Sequence, residues 1–177
     1  VVSGGRSRHL ALRTRAIDDA ITTAVERGAR QLVLVGAGLD ARAFRLPALR
    51  DVVVFEVDHP STQTWKRTRV ASLTPVARDV RFVETDFERD ALRERLSASG
   101  HEPTRESVFI WEGVSMYLSS TAIDALLHGL HTCAASGSTL LATYFEPRPS
   151  KMAGALTALL RGVSEPVRSR FSAEQFA

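Results

Sequence analysis

Residues 31–41 read Gln31-Leu32-Val33-Leu34-Val35-Gly36-Ala37-Gly38-Leu39-Asp40-Ala41. Four consecutive apolar residues that end at a glycine are typical of a short strand buried on both faces, as in a parallel sheet. Glycine at positions 36 and 38 lets the backbone approach a ligand closely, and a helix that follows offers free N–H groups. The spacing matches the relaxed dinucleotide-binding pattern G-x-G-x-x-A, although a tight strand-to-helix turn would use the same glycines.

Helical and strand patterns alternate along the rest of the chain. Apolar periodicity predicts helices over residues 10–27, 40–48, 62–73, 88–98, 120–135, 151–161 and 172–177. Short apolar runs predict strands over residues 32–35, 52–57, 80–83, 108–111 and 139–145. Thr121 and Asp124 have the spacing of a capping box at the start of the clearest helix. Five alternations of strand and helix indicate an α/β fold with a doubly wound, mostly parallel sheet.

Length and composition are those of one globular domain over residues 1–177. The chain has 177 residues, of which 44% are hydrophobic, and it contains no run of 18 apolar residues that would predict a membrane-spanning helix. Its 23 basic and 20 acidic residues are interspersed, which predicts a salt-bridged surface and no nucleic-acid site. The single cysteine, Cys133, excludes an intrachain disulfide and favours a reducing, cytoplasmic location.

Acidic residues follow three of the predicted strands, at the sheet edge where α/β proteins bind ligands. Asp58 lies 20 residues after the second glycine, where a carboxylate accepts both ribose hydroxyls. Glu56, two residues earlier on the same face, is the rival, but the position at the strand end favours Asp58. Asp86 and Phe87 could contact an adenine, or Asp86 could cap the following helix. Glu112 needs a cationic partner, and either a ligand ammonium or an internal arginine would serve.

Other candidates for catalysis or metal binding are weak. His128 and His131 lie three residues apart on a predicted helix without a further ligand pattern, so we expect no metal site there. Ser115 lacks the second glycine of a nucleophile elbow, which disfavours a hydrolase. Tyr117 could contact a substrate or pack in the core.

Taken together, these motifs resemble the leucine carboxyl methyltransferase superfamily, and within it the actinobacterial S-adenosylmethionine-dependent O-methyltransferases. The resemblance covers about residues 10–177 and rests first on the segment from Gln31 to Leu46. Further matches are Arg13-Thr14-Arg15, Phe55-Glu56-Val57-Asp58-His59-Pro60, Glu112-Gly113 through Tyr117-Leu118, and Glu165-Pro166 before a phenylalanine-containing segment.

The resemblance implies a class I methyltransferase fold that binds S-adenosylmethionine and methylates a small molecule on a carboxylate or hydroxyl. Gly36 and Gly38 would form the turn beside the methionine part, Asp58 would hold the ribose, and Asp86 with Phe87 would contact adenine. In the same way, the resemblance implies that Glu112 faces the methionine ammonium, that Arg13 reaches the methionine carboxylate, and that Tyr117 lies on the acceptor side.

The sequence leaves two alternative functions open and carries one further structural expectation. An NAD(P)-dependent oxidoreductase would use the same glycine turn and the same acid at Asp58, and a catalytically degenerate binding domain would keep the fold without turnover. Compared with the family, the domain is expected to be truncated at both ends and to lack the C-terminal edge strands of the sheet. Oligomeric state is not predicted by any of these patterns.

Overall fold

A computed structural model describes residues 3–144 of the chain. The predicted helices at 151–161 and 172–177, the Glu165-Pro166 segment, Phe145 and any C-terminal edge strands lie outside the described residues.

Five short strands form one sheet in which every neighbouring pair is parallel. They are β1 (Gln31–Val35), β2 (Val53–Asp58), β3 (Asp79–Glu84), β4 (Ser107–Trp111) and β5 (Thr139–Ala142), in the spatial order β3-β2-β1-β4-β5. The register places Leu34 of β1 between Glu56 of β2 and Ile110 of β4. The predicted α/β class and doubly wound parallel sheet are therefore confirmed.

The five helices predicted within the described residues are present. They are α1 (Ser3–Glu26), α2 (Arg42–Arg45), α3 (Pro60–Val70), α4 (Leu92–Ala98) and α5 (Ser120–Cys133), with 3₁₀ helices at Pro47–Asp51 and Ser115–Tyr117. However, α1 begins seven residues earlier than predicted and α4 four residues later. The short helix predicted over 40–48, with its end near Pro47, is present as α2, which ends at Arg45; Pro47 has no N–H to continue it and begins the 3₁₀ helix that follows. Pro60 instead occupies the first turn of α3, where that missing N–H costs nothing.

The predicted capping box of α5 is also wrong. Ser119 is the N-cap, and its hydroxyl accepts a hydrogen bond from the Ala122 N–H at 3.2 Å. Glu88 fixes this choice, since its two carboxylate oxygens accept from the Ser119 N–H and hydroxyl at 3.0 and 2.8 Å. Three consecutive hydroxyl residues could each have capped the helix, and a contact from 31 positions away selects the first.

Side chains from alternate positions of each strand pack into two apolar layers, one on each face of the sheet. Leu32 and Leu34 of β1 pack with Ile21 of α1 in the first layer. Val33 and Val35 pack in the second layer with side chains of α4 and α5, among them the buried Cys133. The helices thus cover both faces and leave the carboxyl ends of the strands accessible.

Ion pairs join many of the interspersed charged residues, as the predicted salt-bridged surface requires. Arginine supplies the cation of every ion pair between described residues except Lys66–Glu56. Among the helices that the structure describes, none is long and apolar enough to cross a membrane.

Candidate functional site

A pocket of about 350 Å³ opens at the carboxyl ends of β1 and β4. The chain runs outward from β1 to β2 and β3 on one side and returns to β4 and β5 on the other, so the strand order reverses between β1 and β4. Open α/β sheets bind their ligands at this switch point. Four residues predicted from the sequence line the pocket: Arg13, Gly36, Gly38 and Glu112.

The turn after β1 is held in one conformation by its backbone. The N–H groups of Gly36 and Ala37 both donate to the carbonyl of Val57, at 2.8 and 3.0 Å. Gly36 has a φ of +71°, and a Cβ atom there would collide with the side chain of Val114. Gly38 has a φ of +44°, and the nearest atom to a Cβ there is a carbonyl oxygen at 3.9 Å. Gly36 is therefore required by packing and by backbone conformation, whereas Gly38 is required by conformation alone.

Asp58, the last residue of β2, binds this turn through its carboxylate. Its Oδ2 atom accepts a hydrogen bond from the Gly38 N–H at 2.6 Å, and its Oδ1 atom accepts one from the His59 N–H at 2.7 Å. The side chain is only partly buried. Because a carboxylate accepts about four hydrogen bonds, both oxygens keep capacity for the hydroxyls of a ligand.

Glu56, the rival acid in the sequence, has a different environment. It is fully buried, whereas Asp58 is only partly buried, and the Oε2 atom of Glu56 lies 2.5 Å from Nζ of Lys66. Burial raises the pKa of Glu56 to about 7, although the Lys66 ammonium opposes the rise. Lys66 also donates to the carbonyl of Asp40 at 2.7 Å. This buried pair therefore supports the ligand-side turn from within the protein and leaves Asp58 as the accessible acid of β2.

A network of opposite charges forms one wall of the pocket. It comprises three arginines and three carboxylates: Arg13, Arg42, Arg45, Asp18, Asp40 and Glu112. Glu112 is shared between two of the arginines: Oε1 lies 2.6 Å from Nε of Arg13, and Oε2 lies 3.1 Å from Nη1 of Arg42. The network has no formal net charge, so it can be complementary to a ligand that carries one positive and one negative group.

Arg42 is at the centre of this network. Its Nε atom donates to Asp18 at 2.8 Å, and its Nη1 atom contacts both Asp40 and Glu112. Asp18 also binds Arg45 at 2.7 Å. Burial raises the pKa of Asp18, but the hydrogen bonds and charges of Arg45 and Arg42 outweigh this effect and lower the pKa overall.

Sequence reasoning did not single out Arg42. No local signal was available, because its partners Asp18 and Glu112 lie 24 and 70 positions away in the sequence. For Glu112, the sequence left an internal arginine and a ligand ammonium open as partners, and the structure shows the internal arginines. Arg13, predicted to reach a ligand carboxylate, binds Glu112 here.

Four predicted site residues do not line the pocket: Asp58, whose carboxylate binds the glycine turn from outside it, and Asp86, Phe87 and Tyr117. Asp86 accepts a hydrogen bond from the Glu88 N–H at 3.1 Å and so caps a turn that ends before α4 begins. Phe87 packs partly buried against the second apolar layer. Tyr117 ends the 3₁₀ helix after β4 with 37% of its surface exposed. Across residues 3–144, no group of His, Cys, Asp and Glu side chains is arranged to hold a metal ion.

Comparison with known proteins identifies the family. Residues 3–131 match the leucine carboxyl methyltransferase family. The chain belongs to this family. A relative from Mycolicibacterium gilvum (strain PYR-GCK), named "Putative S-adenosyl-L-methionine-dependent methyltransferase", is 38% identical over 163 residues, which are 90% of this chain and 50% of that protein. The chain spans about half the length of the curated relatives it matches.

Solved structures agree with the fold of this family member. A DUF574 family protein from Streptomyces avermitilis superposes with a TM-score of 0.62 at 20% identity, over 90% of this chain and 66% of that one. An O-methyltransferase family protein from Burkholderia thailandensis superposes with a TM-score of 0.63 at 14% identity, over 91% and 47%. The family membership does not favour the oxidoreductase alternative.

Proposed function

We propose that the chain is the S-adenosylmethionine-binding part of a methyltransferase that methylates a carboxylate or hydroxyl oxygen of a small molecule. The observation that carries this proposal is the pairing of Arg13 with Glu112 in a pocket at the switch point of the sheet. A guanidinium and a carboxylate in contact match the two charges of an amino acid zwitterion, such as the methionine part of S-adenosylmethionine. Membership of the leucine carboxyl methyltransferase family supports the same ligand and an oxygen acceptor.

The residues present fit this ligand. Glu112 would exchange Arg13 for the ligand ammonium, while Arg13 would turn to the ligand carboxylate; Arg13 is about a third exposed and can move without opening the core. Asp58 would accept the ribose hydroxyls with the capacity that its two backbone hydrogen bonds leave. The glycine turn at Gly36 and Gly38 would lie against the ligand between these two ends.

The adenine end of the site is proposed to lie beyond Asp58, at the end of β3. Asp86 and Phe87 lie just after this neighbouring strand. Thr85, the first residue after β3, donates its N–H to the Asp58 carbonyl at 2.8 Å. That hydrogen bond links the proposed ribose and adenine positions. Asp86 is partly buried and would use an oxygen for the exocyclic amine of the base.

Methyl transfer requires the protein mainly to align the methyl donor with the acceptor. When bound, S-adenosylmethionine would supply a methyl group activated by a positively charged sulfur: the acceptor oxygen bonds to the methyl carbon as the carbon–sulfur bond breaks, which leaves S-adenosylhomocysteine. The charged wall and Asp58 would orient the donor, and the acceptor would approach from the side of Tyr117, past Glu112. A carboxylate acceptor is already an anion and needs no general base, whereas a hydroxyl would gain from one. The buried single cysteine is consistent with a cytoplasmic reaction.

Isothermal titration with S-adenosylmethionine and with NADH tests the proposal directly. We expect heat from the first ligand alone. Asp58→Ala should weaken S-adenosylmethionine by about 1.5–3 kcal/mol, the range for hydrogen bonds to a charged group. Glu84→Ala is the matched control, because Glu84 ends β3 opposite Asp58 in the register but is exposed and pairs only loosely with Arg67 at 3.7 Å.

The outcomes separate the competing functions. Equal losses in the Asp58→Ala and Glu84→Ala variants would mean that Asp58 has no special role toward the ligand. Binding of NADH in place of S-adenosylmethionine would restore the oxidoreductase alternative. Tight binding of S-adenosylhomocysteine with no turnover on carboxylate or hydroxyl acceptors, in a chain extended to the full length of its relatives, would indicate a degenerate binding domain.

A further inference from the structure

Arg42 joins three separate parts of the molecule around the proposed ligand. Its partners are Asp18 on α1, Asp40 in the turn after β1, and Glu112 after β4. Its side chain is only 4% exposed. A buried guanidinium with several carboxylate partners is held in one geometry, because moving it would leave charges unpaired in a poorly solvated environment.

The two arginines on Glu112 differ in how firmly they are held. Arg13 is 34% exposed, and Glu112 is its one ion-pair partner among the described residues. Arg42 keeps Asp18 and Asp40 as partners even if its contact with Glu112 is lost. They also bind different oxygens, Oε1 for Arg13 and Oε2 for Arg42. A ligand can therefore displace Arg13 from Glu112 without disturbing Arg42.

We infer that Arg42 is a positioning residue that keeps the Glu112 carboxylate aimed into the pocket while Arg13 leaves it for the carboxylate of the ligand. The inference rests on the proposed function, since it assigns Glu112 to the ligand ammonium. Without Arg42, the Glu112 side chain would be free to follow Arg13 as it moves, and the ammonium would meet no fixed acceptor. Arg42 also lines the pocket, and by holding Glu112 in place it would set the preference for ligands that carry an amino acid group.

The test compares two ligands that share the adenosine but differ in the amino acid part and in the charge on the sulfur. S-adenosylmethionine carries the zwitterion, and methylthioadenosine lacks it. By isothermal titration, Arg42→Gln should weaken S-adenosylmethionine by about tenfold to a hundredfold and change methylthioadenosine by less than about twofold. Arg81→Gln is the control for a lost structural arginine, since Arg81 pairs with Asp79 in the same strand and donates to the Ser99 carbonyl at the end of α4. It should leave both affinities unchanged.

A double variant shows whether Arg42 acts through Glu112. In a Glu112→Gln background, adding Arg42→Gln should cause no further loss of S-adenosylmethionine affinity. Losses that multiply in the double variant, or equal weakening of both ligands by Arg42→Gln, would overturn the inference and make Arg42 a general structural residue. If thermal denaturation shows that Arg42→Gln does not fold, Arg42→Lys carries the same comparison, because lysine keeps the charge but cannot bridge three carboxylates.

A different experimental result would overturn the proposed function. If the unmodified chain binds methylthioadenosine and S-adenosylmethionine equally well, Glu112 does not receive an ammonium, and both proposals are overturned. If the unmodified chain prefers S-adenosylmethionine and Arg42→Gln keeps that preference, the proposed function stands and the inference about Arg42 is wrong.

Discussion

Gly36 and Gly113 provide a matched pair for measuring what the tight turn after β1 requires. Their φ angles are +71° and +72°, so an alanine at either position meets the same backbone strain. Their surroundings differ, because a Cβ at Gly36 would collide with Val114, whereas no atom lies within 4 Å of a Cβ at Gly113. The difference between the two alanine variants therefore isolates the steric contribution.

The expected magnitudes follow from these two contributions. An L-residue in the left-handed region costs about 1–2 kcal/mol. Forcing extra atoms into a packed site costs a further 1–3 kcal/mol, roughly. Replacing glycine also reduces the entropy of the unfolded chain, but by the same amount in both variants. Gly36→Ala should therefore lower the free energy of unfolding by about 2–5 kcal/mol and Gly113→Ala by about 1–2 kcal/mol.

Urea denaturation followed by circular dichroism measures both losses. A third variant combines Gly36→Ala with Val114→Ala. It removes both methyl groups of Val114, which a Cβ at position 36 would otherwise meet. It should recover part of the stability lost in Gly36→Ala, after correction for Val114→Ala alone. Equal losses at Gly36 and Gly113, or no recovery in the combined variant, would refute the steric explanation.

Three further predictions concern the interior and the acceptor side. Burial lowers the pKa of His101 from 6.5 to about 4, so between these pH values the unfolded chain binds a proton that the folded chain does not. The free energy of unfolding should therefore fall by at most about 3 kcal/mol as the pH drops from 6.5 to 4. His101→Gln should flatten this part of the pH profile in urea titrations. Lys66→Met removes the charge that opposes the raised pKa of Glu56, so the variant should go on losing stability above pH 7, where the unmodified chain levels off. Glu56→Gln in addition should abolish this loss. Tyr117→Phe should leave S-adenosylmethionine affinity unchanged in titrations and alter the KM for the acceptor; a changed donor affinity would place Tyr117 on the wrong side of the site.

Local patterns predicted the fold because strand and turn formation depend on neighbouring residues. The apolar run before Gly36 is buried in β1 as expected, and the strand-end position of Asp58 distinguished it from Glu56 before any contact was known. Helix ends were predicted less well. The end of α2 before Pro47 was predicted from the rule for proline, but the cap at Ser119 depends on Glu88, which no local pattern connects to it.

The sequence by itself determined the sheet, the glycine turn and the acids that end its strands, because each follows from periodicity or from a residue type at a fixed offset. The tertiary structure decided which charges meet. Arg13 and Glu112 are 99 positions apart, and Arg42 is 70 positions from Glu112 and 24 from Asp18. Such pairs depend on how α1 packs across the sheet toward β4, and the geometry of that packing is set by the apolar layers and not by the charged residues themselves. The sequence could therefore show that Glu112 needed a cation, and only the folded chain could show that Arg13 and Arg42 share it.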